Sequence, residues 1–134
     1  MFKLIVAGSR SFNDYDLLKA KLDRLLSNKD LSTVHIVSGT ARGADELGER
    51  YAKERGCQLD LFPANWARYG KSAGFERNTR MANHADAAVI FWDGESRGAS
   101  HMANTMEGFN KPLRRVLFTP APTPAQPQQL ALGF

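Results

Sequence analysis

Three short apolar runs, each stopped by a glycine-bearing polar turn and each followed by an amphipathic segment, restrict this chain more than any other feature. Lys3-Leu4-Ile5-Val6-Ala7 runs into Gly8-Ser9-Arg10, and Thr33 to Val37 runs into Ser38-Gly39-Thr40-Ala41-Arg42-Gly43-Ala44-Asp45. Ala88-Val89-Ile90-Phe91-Trp92 runs into Asp93-Gly94-Glu95-Ser96-Arg97-Gly98-Ala99-Ser100. Runs this short and this uniformly apolar read as strands buried on both faces, which is the signature of a parallel sheet.

The segments between them carry helical spacing. Asn13 or Asp14 can cap a helix with Leu18, Leu22, Leu25 and Leu26 on one stripe, and Ala44, Leu47, Gly48, Tyr51 and Ala52 form a second that ends at Gly56. A third runs from about Glu76 to His84 with Met81, Ala82 and Ala85 inward, and a fourth carries Met102, Ala103, Met106 and Phe109 before Pro112. Gln58 to Phe62 alternates and stops at Pro63, which predicts an edge strand; Arg115 to Phe118 gives the last strand. Strands alternating with helices imply right-handed crossovers. The expected fold is α/β, a Rossmann-like three-layer sandwich with a parallel sheet of about five strands, the very hydrophobic run at 88–92 being central. Ala64 to Phe75 is left as a long irregular stretch in which Trp66, Tyr69 and Phe75 mix with Arg68 and Lys71. Two readings of it stay open: rings that stack on a base beside cations that meet phosphate, or a surface loop tucked down by its own aromatics.

In such sheets ligands sit outside the carboxyl ends of the strands, where the strand order reverses, and there the turns at Gly8 and Gly94 would meet. Gly39 and Gly43 at a strand-to-helix junction suggest a phosphate cradle, with backbone N–H groups and the positive end of the new helix aimed at an anion. Arg10, Arg42, Arg77 and Arg97 come from separate strand-end segments and are expected to converge on that crevice. The candidate ligand residues are therefore Gly8, Ser9, Arg10, Ser38, Gly39, Thr40, Ala41, Arg42, Gly43, Asp45, Arg77, Asn78, Asp93, Gly94, Ser96, Arg97, Gly98 and Ser100. Asp45 and Glu95 are the candidate catalytic carboxylates, weighed against plain helix-cap and solvated roles. His35, His84, His101 and Cys57 show no metal-ligand spacing, so no metal is expected, and Cys57 reads as a buried, inert thiol.

A formal net charge of +4 and a pI near 9.5 favour anionic partners, nucleotide or nucleic acid alike. No apolar run is long enough to span a bilayer and the start has no signal-peptide layout, which points to a cytoplasmic protein without a membrane partner. A homo-oligomer stays open.

Gly8-Ser9-Arg10, Ser38 to Asp45, Glu76-Arg77-Asn78 and Phe91 to Gly98, in that order, resemble the SLOG superfamily of Rossmann-like proteins, which includes DNA-processing protein A and the Lonely Guy phosphoribohydrolases. The likeness covers about residues 2–118 and is greatest to the small single-domain bacterial and phage branch. It implies a nucleotide or nucleotide-derived ligand in the crevice, with Arg10, Arg42 and the Gly94 to Ser100 loop as matching positions, and it implies no reaction. Laid on the phosphoribohydrolase pattern Gly-x-Gly-Thr-x-x-Glu, Gly98-Ala99 puts Met102 where the glutamate belongs. A binding module is thus favoured over an enzyme. Single-stranded nucleic-acid binding and nucleotide N-glycosidase chemistry, on a nucleoside monophosphate or an ADP-ribose-type substrate, remain the alternatives.

The composition changes at Thr119. Residues 1–118 form the expected globular domain; 119–128, with Pro120, Pro122, Pro124 and Pro127, read as an extended linker; 129–134 read as a docking peptide. Gln129, Leu130, Leu132 and Phe134 resemble the Gln-Leu-x-Leu-x-Phe pattern of peptides that dock on the bacterial DNA polymerase sliding clamp, which is the partner this tail implies.

Overall fold

The computed structural model describes residues 1–120. The proline-rich linker beyond Pro120 and the hexapeptide Gln129 to Phe134 lie outside the described residues. The elements run β1 (Phe2–Gly8), α1 (Tyr15–Leu25), β2 (Val34–Ser38), α2 (Ala44–Arg55), β3 (Gln58–Leu61), α3 (Trp66–Tyr69), α4 (Ala73–His84), β4 (Ala87–Trp92), α5 (Arg97–Gly108) and β5 (Leu113–Leu117). Five strands pair in the order β3-β2-β1-β4-β5, every pair parallel. Successive residues of β1 feed opposite faces: Leu4 and Val6 pack with α1 and α2, while Ile5 and Ala7 pack with α4 and α5. That two-sided burial is why the strand is an unbroken apolar run. No helix among the described residues is long and apolar enough to cross a membrane.

Three expectations need correction. β4 is interior, but β1 holds the middle of the sheet; both strands are buried on two faces, so hydrophobicity alone does not rank them. The 64–75 stretch is not irregular: Asn65 Oδ1 accepts from Arg68 N (3.1 Å) to start α3, a 3₁₀ turn spans Gly70–Ser72, and α4 begins at Ala73. Phe109 does not join the inward face of α5, because it falls one residue beyond the helix as its C-cap and is exposed. Elsewhere the caps follow local chemistry. Asp14 accepts from Leu17 N at the start of α1, and Gly56 ends α2 in the left-handed region at φ 73°. Cys57 is half-buried, and burial pushes its thiol up.

The strand order reverses at β1. β2 leaves to one side and β4 to the other, so the β1 and β4 turns open side by side at the carboxyl edge of the sheet.

Candidate functional site

A crevice of about 450 Å³ lies at that edge. Nine of the expected residues line it: Gly8, Arg10, Ala41, Asp45, Arg77, Asn78, Asp93, Ser96 and Gly98. Ser11, Met81 and Met102 join them. Ser11 follows Arg10 in the same turn, but nothing in the pattern separates it from any other turn serine, and the two methionines read only as core. A depression of about 310 Å³ adjoins it, lined by Gly39, Thr40, Arg42, Pro63, Ala64 and Trp66, and sharing Arg10, Ala41 and Arg77 with the crevice. Gly94, Glu95, Arg97 and Ser100 line neither space. Arg97 is exposed in the first turn of α5, Glu95 is exposed in the turn before it, and Ser100 faces a groove between α5 and β5 with Trp92 and Arg115. The expected convergence of four arginines therefore reduces to Arg10, Arg42 and Arg77.

The two buried serines hold the scaffold and do not face the crevice. Ser9 N donates to Phe91 O (2.9 Å), Ser9 O accepts from Phe12 N (3.1 Å) and Ala44 N (3.4 Å), and Ser9 Oγ accepts from Asp93 N (3.1 Å). One residue thus ties the turns after β1, β2 and β4 together. The Ser9 hydroxyl thereby gives the half-buried Asp93 amide an acceptor inside the fold. Ser38 Oγ donates to Glu49 Oε2 (2.7 Å) and accepts from Thr40 N (3.0 Å).

Most of the cradle expected at Gly39 to Gly43 is already engaged, because four amides from Thr40 to Ala44 have acceptors within the protein. Thr40 N is taken by Ser38, Ala41 N by Asp45 Oδ2 (3.2 Å), Gly43 N by Glu46 Oε1 (3.3 Å) and Ala44 N by Ser9 O. The glycines serve close packing instead. Gly43 sits at φ 78°, where a Cβ would collide with the Ser9 and Arg10 carbonyls. A Cβ on Gly39 would stand 2.7 Å from Arg77 Nη1 and 2.8 Å from Asp45 Oδ2, wedged between the two charges. With those four amides engaged, the groups that meet an anion here are chiefly the guanidinium groups of Arg10, Arg42 and Arg77. On the opposite wall, α5 reaches the crevice at Gly98, and the positive end of its dipole favours negative charge there.

Arg77 is aimed by its neighbours. Its Nη1 donates to Gly39 O and its Nε to Asn78 Oδ1 (3.0 Å). Asn78 is itself buried, and its Nδ2 donates to Gly98 O (3.3 Å) and to His101 Nδ1 (3.2 Å). That last bond needs an unprotonated Nδ1, which agrees with burial holding the His101 pKa down. Asp45 is 5 % exposed, and burial pushes its carboxyl up to about 6 despite the lowering effects of the Ala41 amide and the Arg77 charge. Burial also lowers the Arg77 pKa, with the Arg10 charge acting in the same direction. Asp93 goes the other way: its Oδ1 accepts from Glu95 N (2.9 Å) and Ser96 N (2.8 Å), which holds its carboxyl below the usual range.

Comparison with known proteins agrees with this architecture. The chain is 35% identical over 111 residues to the Gene 61 protein of Mycobacterium phage D29, covering 75% of this chain and 85% of that protein. The fold superposes on DNA processing protein A from Helicobacter pylori, whose structure is described for its single-stranded DNA binding mode, with a TM-score of 0.62 and 19% identity over 98% of this chain and 73% of that one. At that identity the likeness establishes the Rossmann-like fold. Residues 2–69, just over half of the chain and including the turns at Gly8 and Gly39, match the model of the YspA, cpYpsA-related SLOG family, and the chain belongs to that family.

Proposed function

We propose that this chain is a binding module for a nucleotide or nucleotide-derived ligand, held by its phosphate in the crevice between the β1 and β4 ends. One observation carries the reading. Arg10 and Arg77 line the same crevice, yet the arginines that pair with carboxylates among the described residues are Arg50, Arg55, Arg80 and Arg115. Among the described residues neither of these two guanidinium groups is tied into a salt bridge, so both keep N–H donors that can give charge-assisted hydrogen bonds to a phosphate between them. Membership of the SLOG family supports the same ligand class. Strand binding is the second reading, supported by the subject of the Helicobacter pylori structure and by a groove of about 670 Å³ that runs on from Trp66 past Arg68, Tyr69 and Arg80.

Thermal-shift and calorimetric titrations with AMP, ADP-ribose, NAD and an oligothymidylate test both. A ligand of the native state raises the melting temperature. Affinity for a small ligand responds weakly to salt, whereas strand affinity falls steeply. No shift with any of the four at millimolar concentration ends the proposal. Incubation with nucleoside monophosphates is expected to release no free base. Release that disappears in Asp45→Asn would put an N-glycosidase first, since Asp45 lines the crevice and Glu95 does not.

We propose separately that the tail docks on a bacterial DNA polymerase sliding clamp. The support is sequence alone: Gln129, Leu130, Leu132 and Phe134 at the pattern positions, after a proline-rich spacer. A synthetic peptide of residues 126–134 is expected to bind a purified clamp and to lose that binding when Gln129 and Phe134 are both changed to Ala. No binding, or binding that survives the double change, ends it.

A further inference from the structure

We propose that the ligand consists of two nucleoside-sized halves joined through phosphate, the second half stacking on Trp66; this rests on the phosphate site proposed above. The crevice and the depression are distinct spaces, of about 450 and 310 Å³, and Arg10 and Arg77 line both. The cations therefore stand at the seam. A phosphate held there has one space on either side, and a nucleoside monophosphate fills only one of them.

The depression has the surface a base requires. Of the three aromatic residues in the 64–75 segment, two are engaged: Phe75 stacks on His101 with ring centroids 4.2 Å apart, and Tyr69 carries the Arg68 guanidinium at 5.2 Å in the next groove. Trp66 is 54% exposed and forms the wall of the depression. Its indole lies beside the seam: Trp66 Cη2 and Arg77 Nη2 stand 3.7 and 3.8 Å from the point where a Cβ on Gly74 would be. An open aromatic face next to a phosphate-binding cation is the arrangement by which a base stacks while its own phosphate is held. Thr40 lines the depression too, at φ 63°, a left-handed conformation costly for a β-branched residue and of the kind that gathers at ligand sites.

The ligand class is a dinucleoside phosphate. It is met either as a free pyrophosphate-linked dinucleotide or as two successive residues of a single strand. Trp66 and Trp92 are the chain's two tryptophans, and Trp92 lines neither space. In a Trp92→Phe background all indole emission therefore comes from Trp66, and the probes are AMP, NAD and the thymidine dinucleotide dTpdT. NAD or dTpdT should quench that emission and bind more tightly than AMP. Trp66→Ala should weaken the two-halved probe about tenfold more than it weakens AMP, and Trp66→Phe should restore most of that loss. Preference for NAD assigns the free dinucleotide; preference for dTpdT assigns the strand. If AMP binds but the two-halved probes bind no tighter, or AMP quenches as strongly, or Trp66→Ala weakens all three alike, the two-halved ligand is wrong and the phosphate site stands. Binding by none of the three removes both.

Discussion

Arg77→Met is expected to lower nucleotide affinity about a hundredfold, the equivalent of the two charge-assisted hydrogen bonds a guanidinium makes to one phosphate. The effect should exceed that of an ordinary surface arginine because this one is already aimed: Gly39 O and Asn78 Oδ1 fix the fork, so little side-chain freedom is lost when ligand arrives. Methionine keeps the stem and removes the fork, leaving the Gly39 carbonyl and Asn78 Oδ1 without a donor. The fold should then lose about 1–2 kcal/mol, visible as a lower melting temperature in the absence of ligand. Affinity measured well below that melting temperature separates the two losses. Arg97→Ala is the control, since Arg97 lies in the neighbouring turn yet outside both spaces. Its affinity should stay at the wild-type value. A loss at Arg97 equal to that at Arg77 would restore the four-arginine convergence and refute the geometry described above.

That contrast shows where the sequence is readable. Strand, turn and helix order are legible because burial on both faces leaves an apolar run and each turn carries its own glycine, as at Gly8 and Gly43. The place of the crevice follows from the order of the elements alone. What is not legible is which residue of a turn faces the crevice. Ser9 and Arg10 are neighbours, but Ser9 turns inward because its partners are Phe91 O and Asp93 N, some eighty residues away in the chain. Likewise the Gly39 turn has the composition of an open cradle, and only the fold brings Asp45, Glu46 and Ser38 onto its amides. Trp66 is ambiguous for a related reason. Its exposure depends on α3 being a short helix capped by Asn65, and α4 starts at Ala73 after Ser72, which makes no side-chain capping bond. Without that local signal the helix start is placed three residues late, at Glu76.

The buried carboxylate gives the largest expected effect on stability. Asp45 has a folded-state pKa near 6 against an ordinary value of 3.8, so between those values the folded state holds a proton that the unfolded chain has released. Its contribution is therefore fully present below 3.8, falls as pH rises through the window, and is gone above about 6. A difference of that size is worth about 2–3 kcal/mol. Asp45→Asn keeps an oxygen for the Ala41 amide and removes the charge, so the variant should be more stable than the wild type at neutral pH by about that amount and equal to it in acid. Comparing the two proteins matters, because Asp23, Asp60 and Asp93 are shifted the opposite way and lose stability on acidification in both. A difference curve flat across the window would mean that Asp45 is not held protonated by its surroundings. The same charge should be visible in binding. Ionised Asp45 lies in the crevice wall near Arg77 and opposes an anion, so affinity for a phosphodiester or pyrophosphate probe, whose own charge is constant in this range, should rise about fivefold as pH falls through the window. In Asp45→Asn the affinity should be high and independent of pH.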